Sequence, residues 1–470
     1  MLWYDWISDG KLENGVILLF DLVIGNGAVV NSQGTFEGKV AVRNGKIVAL
    51  LANDVPAEAK EVIDARGLMV LPGLMDAHVH CGHGTPEREN FACVSRAAAA
   101  GGITTIVDMP LSDPSTVTVE TLEGKKASAE GQVVVDYSLY SGIIPGHLDD
   151  IGSTFHAGAQ TYKIFTCRCS NYPMTYDGAL LKGMRKVGEL GGMVCAHAEN
   201  DTLIQELVED LQTAGKNDAR AYLDSHPEYT ELEAVNRFIF LAGLVPECRG
   251  HICHLSIADG VKAVREARGR GMNNLSIETC PQYLALDEED LIEGGAFTKC
   301  DPPVRKRETV EELWKYVLDG TVDMIASDHS PHAFEKKTPE GGNFWTVSEG
   351  CTGVQTLLPV VLTEGRKRGL SWERLVQLCC SRPAELFGLS DRKGDIAPGM
   401  DADFALVDPD AEWVLRNEDL FYRNQWSPYT GKTFRGKVVK TIVRGTTVFD
   451  GVKICAGEGY GTFYPMKIKR

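Results

Sequence analysis

Residues 71–84 read LPGLMDAHVHCGHG, and in them His78 and His80 flank a single valine at the end of an apolar run. Along a strand, residues i and i+2 point to the same face, so two imidazoles at this spacing can grip one metal ion together. Taken alone, the pair also fits a strand end whose histidines are satisfied by hydrogen bonds. Other apolar runs break the tie. Lys163 lies within TYKIF, His197 closes GMVCAH, His254 closes HICH and Asp328 closes DMIASD. Imidazole and carboxylate suit Zn2+, and Co2+, Mn2+ or Fe2+ can take the same ligands. Lys163 is the odd member, because an ammonium has no lone pair. A lysine within a strand ordinarily snorkels or forms a salt bridge. Beside cations, however, burial depresses its pKa, and the neutral amine can add CO2 to become a carbamate. Four histidines and one aspartate suit two ions only if such a bridging anion is added.

These residues need elements that bring them to one place. Eight short buried-type runs follow one another: GLMDAHVH, TTIVDMPL, VVVDYSLYSGI, TYKIFT, GMVCAHA, HICHLS, LSIETC and DMIASDH. Helical patterns such as ENFACVSRAAAAGG and GALLKGMRKVGELGG lie between most of them. The alternation predicts an α/β fold, a (β/α)8 TIM barrel over residues 71–390, whose chemistry would sit at the C-terminal mouth. Residues 1–70 and 391–470 carry short alternating segments broken by Gly and Asn, including a type I′ hairpin signal at Arg43-Asn-Gly-Lys46. Both ends are expected to pair into one small β-sandwich domain. Residues 1–20 form an extension with no role legible in the sequence.

Composition narrows the partners. The 470 residues are 43% hydrophobic and 24% charged, enough for a large buried core. With 48 Lys+Arg against 65 Asp+Glu, the net charge of −17 argues against nucleic acid or an anionic membrane as partner. No apolar run approaches the ~18 residues of a membrane span. The 13 cysteines are odd in number and scattered, which favours free thiols in a reducing cytosol over a disulfide framework. Cys167-Arg-Cys169 is too tight for a CxxC motif.

In order along the chain, HVH, the lysine of TYKIF, AHAEN, HICHLS, ETCPQYL, KCDPPVR and SDHSPH resemble the cyclic amide hydrolases of the amidohydrolase superfamily. That group includes allantoinase, hydantoinase, dihydropyrimidinase and dihydroorotase, and the likeness runs from about residue 21 to the C-terminus. The resemblance implies two divalent metal ions per subunit, usually zinc. His78, His80 and Asp328 would hold one and His197 and His254 the other. A CO2-derived carboxylate on Lys163 and a hydroxide would bridge them. Asp328 would act as general base and then return the proton to the leaving nitrogen. The resemblance also implies a small cyclic ureide or amide as substrate and a homotetramer.

SDHSP, DMPL, ETCP, KCxPPxR and APGxDADF with WSPYTGK look most like the allantoinase group, which implies ring-opening of allantoin to allantoate. ETCPQYL and SDHSPH also stand close to hydantoinases, so hydantoins and dihydropyrimidines remain the alternative. Dihydroorotase fits less well, because Arg88 is displaced from the arginine that it uses after HxH. Arg168 stands where hydantoinases carry a substrate-contacting Tyr, and it could donate to a ureido carbonyl or pair with an acid. By the same likeness Thr279, Cys280, Ser348 and Gly350 would meet the ring through backbone groups. Asp108 is expected to be structurally paired. His83 and His332 are either exposed or donors behind the ligands. A non-catalytic scaffold on this fold would lack the six ligands; the strand-four lysine argues against mononuclear deaminases, and SDHSP with PPVR against phosphotriesterases.

Overall fold

Strands that bury both faces select apolar and β-branched side chains over the alternation of a half-exposed sheet. The computed structural model of the protein describes residues 19–85, 88–169 and 172–468. Its barrel strands are Leu74–Val79, Ile103–Asp108, Asp136–Leu139, Thr161–Phe165, Met193–His197, Arg249–Ile252, Leu275–Thr279 and Met324–Ile325. All of their residues except Arg249 are buried. Neighbours pair in parallel from the first to the third and from the fourth to the eighth. Ser141–Gly142 joins the third run to the fourth strand. Val79 bridges His329, and the His80 N–H donates to the His329 carbonyl at 2.9 Å. The cylinder is therefore closed, as the eight runs predict.

Helices between strands cover the outside. Asp177–Leu190 buries Leu180, Met184 and Val187 and stops at Gly191 in the left-handed region. In AHAEN, Asn200 caps helix Asp201–Thr213 by accepting the Leu203 N–H at 3.1 Å. The cap fixes where the chain leaves strand five, directly after His197.

The two chain ends meet in one eight-stranded sheet. Its order is Thr446–Phe449, Thr433–Val443, Phe404–Val414, Met69–Pro72, Phe20–Asn31, Gly34–Arg43 and Lys46–Leu51, with Ala59–Asp64 beside Phe20–Asn31. Most pairs are antiparallel, but Phe20–Asn31 runs parallel to Ala59–Asp64 and Met69–Pro72. Asn44 and Gly45 have φ of 51° and 73°, the type I′ hairpin that the sequence signals. The sheet folds over itself: Leu22, Val40 and Ile47 share one core with Phe404, Leu406 and Ile442. At Gly73 this sheet hands over to the barrel, where a Cβ would lie 2.1 Å from the Thr104 hydroxyl.

Residues 1–18 of the expected extension lie outside the described residues. The C-terminal segment also departs from expectation. Its last residues leave the small sheet and cross the barrel floor, where Phe463 bridges Tyr137 and the Met466 N–H donates to the Gly158 carbonyl at 3.1 Å. Phe463 packs on the Tyr137 ring with centroids 5.6 Å apart, an apolar contact that alternation alone could not assign to barrel or sheet. Among the described residues no helix is long and apolar enough to cross a membrane. The 13 cysteines are free thiols, most of them buried.

Candidate metal centre

The end of strand one presents His78 and His80 to the same side, with ring centroids 5.3 Å apart. Just past strands six and eight the backbone turns left-handed, at His254 with φ 34° and at Asp328 with φ 49°. Non-glycine residues seldom adopt this region, and Asp and His are among those that do so most. Both turns direct side chains into the mouth. Asp328 Oδ1 lies 3.1 Å from His78 Nε2 and 3.2 Å from His80 Nε2. The His197 and His254 rings meet edge-on at 4.6 Å, and His254 lies 5.4 Å from His78. Lys163 is buried, its Nζ 4.9 Å from the Phe165 ring, which stacks on His197 at 5.0 Å. All six residues line one cavity of about 430 Å³.

Charge in this cavity is arranged for a cation. Burial pushes the His80 pKa down to about 3 and that of His197 to about 4, and holds His254 well below its ordinary range. Each of these imidazoles is neutral at physiological pH and keeps a lone pair. Burial opposes protonation of His78 as well, yet Asp328 and Glu278 overcome it and hold its pKa well above the ordinary range. Burial would likewise raise Asp328, but His78, His80 and His254 outweigh it and hold the carboxylate ionised. His78, His80 and Asp328 bring one ligand atom each within 4.8 Å of one another. His80 Nδ1 and His254 Nδ1 are buried without a hydrogen-bond partner. Such orphaned nitrogens are costly unless something coordinates them, so the donor set fits divalent metal ions.

Lys163 differs from expectation in one respect. Burial lowers its pKa, but Cys253, Asp328 and Glu278 more than reverse this and hold it above the ordinary lysine value. The depression expected of it is therefore absent in this structure and would need the added positive charge of bound metal ions.

Three acids behind or beside the ligands escaped sequence reasoning. Glu278 accepts from His78 Nδ1 at 2.5 Å, from His251 Nε2 at 3.2 Å and from the His254 N–H at 3.1 Å. It thereby fixes the ring nitrogen that His78 turns to the cavity. Glu199 lies 2.8 Å from His197 Nε2. Asp301 lines the cavity on the same side, its Oδ2 4.0 Å from His197 Nε2. Burial, then the Glu199 charge, raises its pKa to about 7. All three occur in motifs already noted, ETCP, AHAEN and KCDPP. A signal was present, but nothing local separates a buried acid from a solvated one.

Other expected site residues divide. Ser348 and Gly350 line the cavity, as does Arg168. The Arg168 side chain is 68% exposed and its Nε pairs with Asp201 Oδ2 at 3.2 Å. Thr279 and Cys280, by contrast, are fully buried behind the wall. The Thr279 hydroxyl donates to the Leu255 carbonyl at 2.8 Å, and its own carbonyl accepts the Ala326 N–H at 3.1 Å. Asp108 pairs with the buried Lys125 ammonium, the structural role expected of it. His332 and Arg88 are both buried and line the cavity, their backbones bridged. A second carboxylate trio, Asp136, Asp401 and Asp403, surrounds the Lys393 ammonium at 2.5–3.1 Å and forms an ion-pair cluster.

Fold and cluster together define a class: a parallel barrel whose C-terminal mouth is built for divalent metal ions. The chain belongs to the amidohydrolase family, whose model matches residues 69–448. It is 42% identical over 455 residues to the allantoinase of Rubrobacter xylanophilus, covering 96% of this chain and 99% of that protein. It is 40% identical over 444 residues to the allantoinase of Solibacter usitatus, covering 93% and 96%. Among solved structures, L-hydantoinase (dihydropyrimidinase) from Arthrobacter aurescens superposes with a TM-score of 0.92 at 35% identity, covering 94% of this chain and 99% of that one.

Proposed function

We propose that this chain hydrolyses a ring amide bond of a cyclic ureide, with allantoin opened to allantoate as the first candidate. The observation that carries the reading is the convergence of His78, His80, Lys163, His197, His254 and Asp328 on one cavity, in a chain about 40% identical to allantoinases over nearly its whole length. His78, His80 and Asp328 would hold one divalent ion and His197 and His254 a second. Lys163, carboxylated on Nζ, would stand between them. Zinc suits these donors first, with Co2+, Mn2+ or Fe2+ as alternatives. When bound, the ions supply Lewis acidity toward the scissile carbonyl and acidify a water.

The chain's own groups do the rest. Asp328 Oδ1, within 3.2 Å of both strand-one histidines, takes a proton from the attacking water. It returns that proton to the ring nitrogen as the amide bond breaks. Glu278 and Glu199 hold His78 and His197 in single tautomers. Backbone groups around Ser348 and Gly350 would face the ring, and Arg168 at the rim would donate to a substituent carbonyl.

A hydantoin or dihydropyrimidine substrate is the second reading, favoured by the close superposition on an L-hydantoinase (dihydropyrimidinase). Turnover of a panel separates them: allantoin, hydantoin, 5-substituted hydantoins, dihydrouracil, dihydroorotate and cyclic imides, with metal content measured alongside. Opening of hydantoin or dihydrouracil with none of allantoin moves the assignment to the second reading. No turnover of any ring by a protein holding two ions per chain refutes both. The family resemblance supports a homotetramer, which light scattering tests. The free thiols support a reducing, cytoplasmic location, which fractionation tests.

A further inference from the structure

We propose that Lys337 is a positioning residue: its buried side chain sets the backbone of residues 348–350 as a cavity wall and so governs substrate affinity rather than the hydrolytic step. This rests on the cyclic-ureide reading, in which backbone groups around Ser348 and Gly350 face the ring. Lys337 ends the short 3-10 turn Phe334–Lys337 in the loop after strand eight and is 1% exposed. The strap of residues 345–350 that follows lines the cavity.

Lys337 Nζ donates to three carbonyls at 2.9 Å each, those of Lys299, Ser348 and Gly350. An ammonium has three N–H donors, and all three are met. Lys299 belongs to the loop after strand seven, so one side chain ties that loop to the strap. A buried charge is costly without such partners. Here carbonyl dipoles provide them, and the Trp426 ring lies 5.4 Å away.

Between Val347 and Gly350 the strap carries only Ser348 and Glu349, with no apolar side chain to anchor it. Hydrogen bonds from behind hold it instead. Lys299 Nζ donates to the Val347 carbonyl at 2.7 Å and pairs with Glu349 at 2.8 Å, while the Gly350 N–H donates to the Lys299 carbonyl at 3.0 Å. Gly350 packs on Ser330, where a Cβ would lie 2.6 Å from the hydroxyl oxygen. Ser330 stands two residues past Asp328, so the wall abuts the turn that carries the general base. C=O and N–H of one trans peptide point opposite ways. Fixing two carbonyls from behind therefore fixes which backbone groups the strap turns forward.

Burial brings the Lys337 pKa from 10.5 down to about 8. Above that pH the amine keeps two N–H groups for three carbonyls, and the tie weakens. Lys299, Glu349, Cys300, Cys351 and His332 face the same group and remain in any Lys337 variant.

The test measures kcat, KM and metal content with allantoin and with unsubstituted hydantoin, in metal-loaded wild type, Lys337→Met and Lys337→Gln. Met has similar reach and donates nothing; Gln offers one NH2. With Met, KM should rise about tenfold or more on both rings while kcat stays within about threefold, the pattern of binding lost equally from ground and transition states. Gln should fall between, and it carries the test should the Met variant not fold. The KM ratio of variant to wild type, in which titrations common to both cancel, should shrink as pH rises through about 8. An unchanged KM, a fall in kcat with KM kept, or a ratio independent of pH overturns the role of Lys337 while leaving the ureide reading intact. Wild-type protein holding two ions that opens neither ring overturns that reading and this inference with it.

Discussion

Glu278 gives the sharpest test of how the centre is held. Glu278→Gln keeps side-chain size and one acceptor oxygen but removes the charge. In the structure that carboxylate accepts from His78 Nδ1 at 2.5 Å, from the His254 N–H at 3.1 Å and from His251 Nε2 at 3.2 Å. A glutamine amide can keep its oxygen toward His78 and His254 only by turning its NH2 to His251. A hydrogen bond to a charged group is worth roughly 1.5–3 kcal/mol. Losing the charge behind His78 should therefore weaken metal binding at that histidine by about 10- to 150-fold, within reach of the 10–100-fold typical of groups behind metal-ligating histidines. Competition with a chelator of known zinc affinity reads this directly, with kcat at saturating metal as the second measurement. Affinity and kcat both within about twofold of wild type would refute the idea that Glu278 orients His78.

Four further outcomes are expected. Lys163→Ala should be nearly inactive, and short carboxylic acids with added metal should restore part of the rate; wild-type activity without them would show that no bridging carbamate is needed. Asp328→Asn should lower kcat by at least the ~10²–10⁴ of general acid–base catalysis, and a fully active, metal-replete variant would place the base elsewhere. Arg168→Ala should reduce kcat/KM for allantoin more than for hydantoin, by up to about tenfold, because part of its guanidinium is already engaged by Asp201 at 3.2 Å; an equal effect on both substrates would remove it from substrate recognition. Burial raises the Glu89 carboxyl from 4.5 to about 7, so the folded protein favours its protonated form, and that stability is complete below about pH 4.5 and lost as pH rises through about 7. Glu89→Gln keeps the acceptor for the Asn424 N–H at 2.8 Å. It should gain up to about 3 kcal/mol above pH 7, read as a Tm advantage that closes toward about pH 5; a pH-independent difference would refute it.

Strand periodicity is local, and for that reason the barrel and its candidate ligand set were legible in the residues alone. Two histidines at i and i+2 share a face whatever lies around them. The ends of parallel strands share one rim once the alternation with helices is recognised. His78, His80, Lys163, His197, His254 and Asp328 could be named on those grounds, and the Asn44-Gly45 turn on its own chemistry. The same periodicity explains why the Thr279 side chain does not reach the cavity. Glu278, one residue earlier, faces His78, so Thr279 faces the Leu255 carbonyl.

Closure of the barrel decided the remainder. Glu278 meets His78 across 200 residues of chain, and Asp301 meets His197 and His226 only where the loop after strand seven lies against helix Ala219–Ser225. Burial turns these acids from solvated charges into groups whose partners and protonation are set by a few neighbours. Arg168 likewise has the type and place for a substrate donor, but the Asp201 carboxylate at its side engages part of its guanidinium. Residue type and spacing say which atoms can coordinate or donate. Which of them still have a lone pair or proton to spend depends on contacts between segments far apart in the chain, and those exist only in the closed fold.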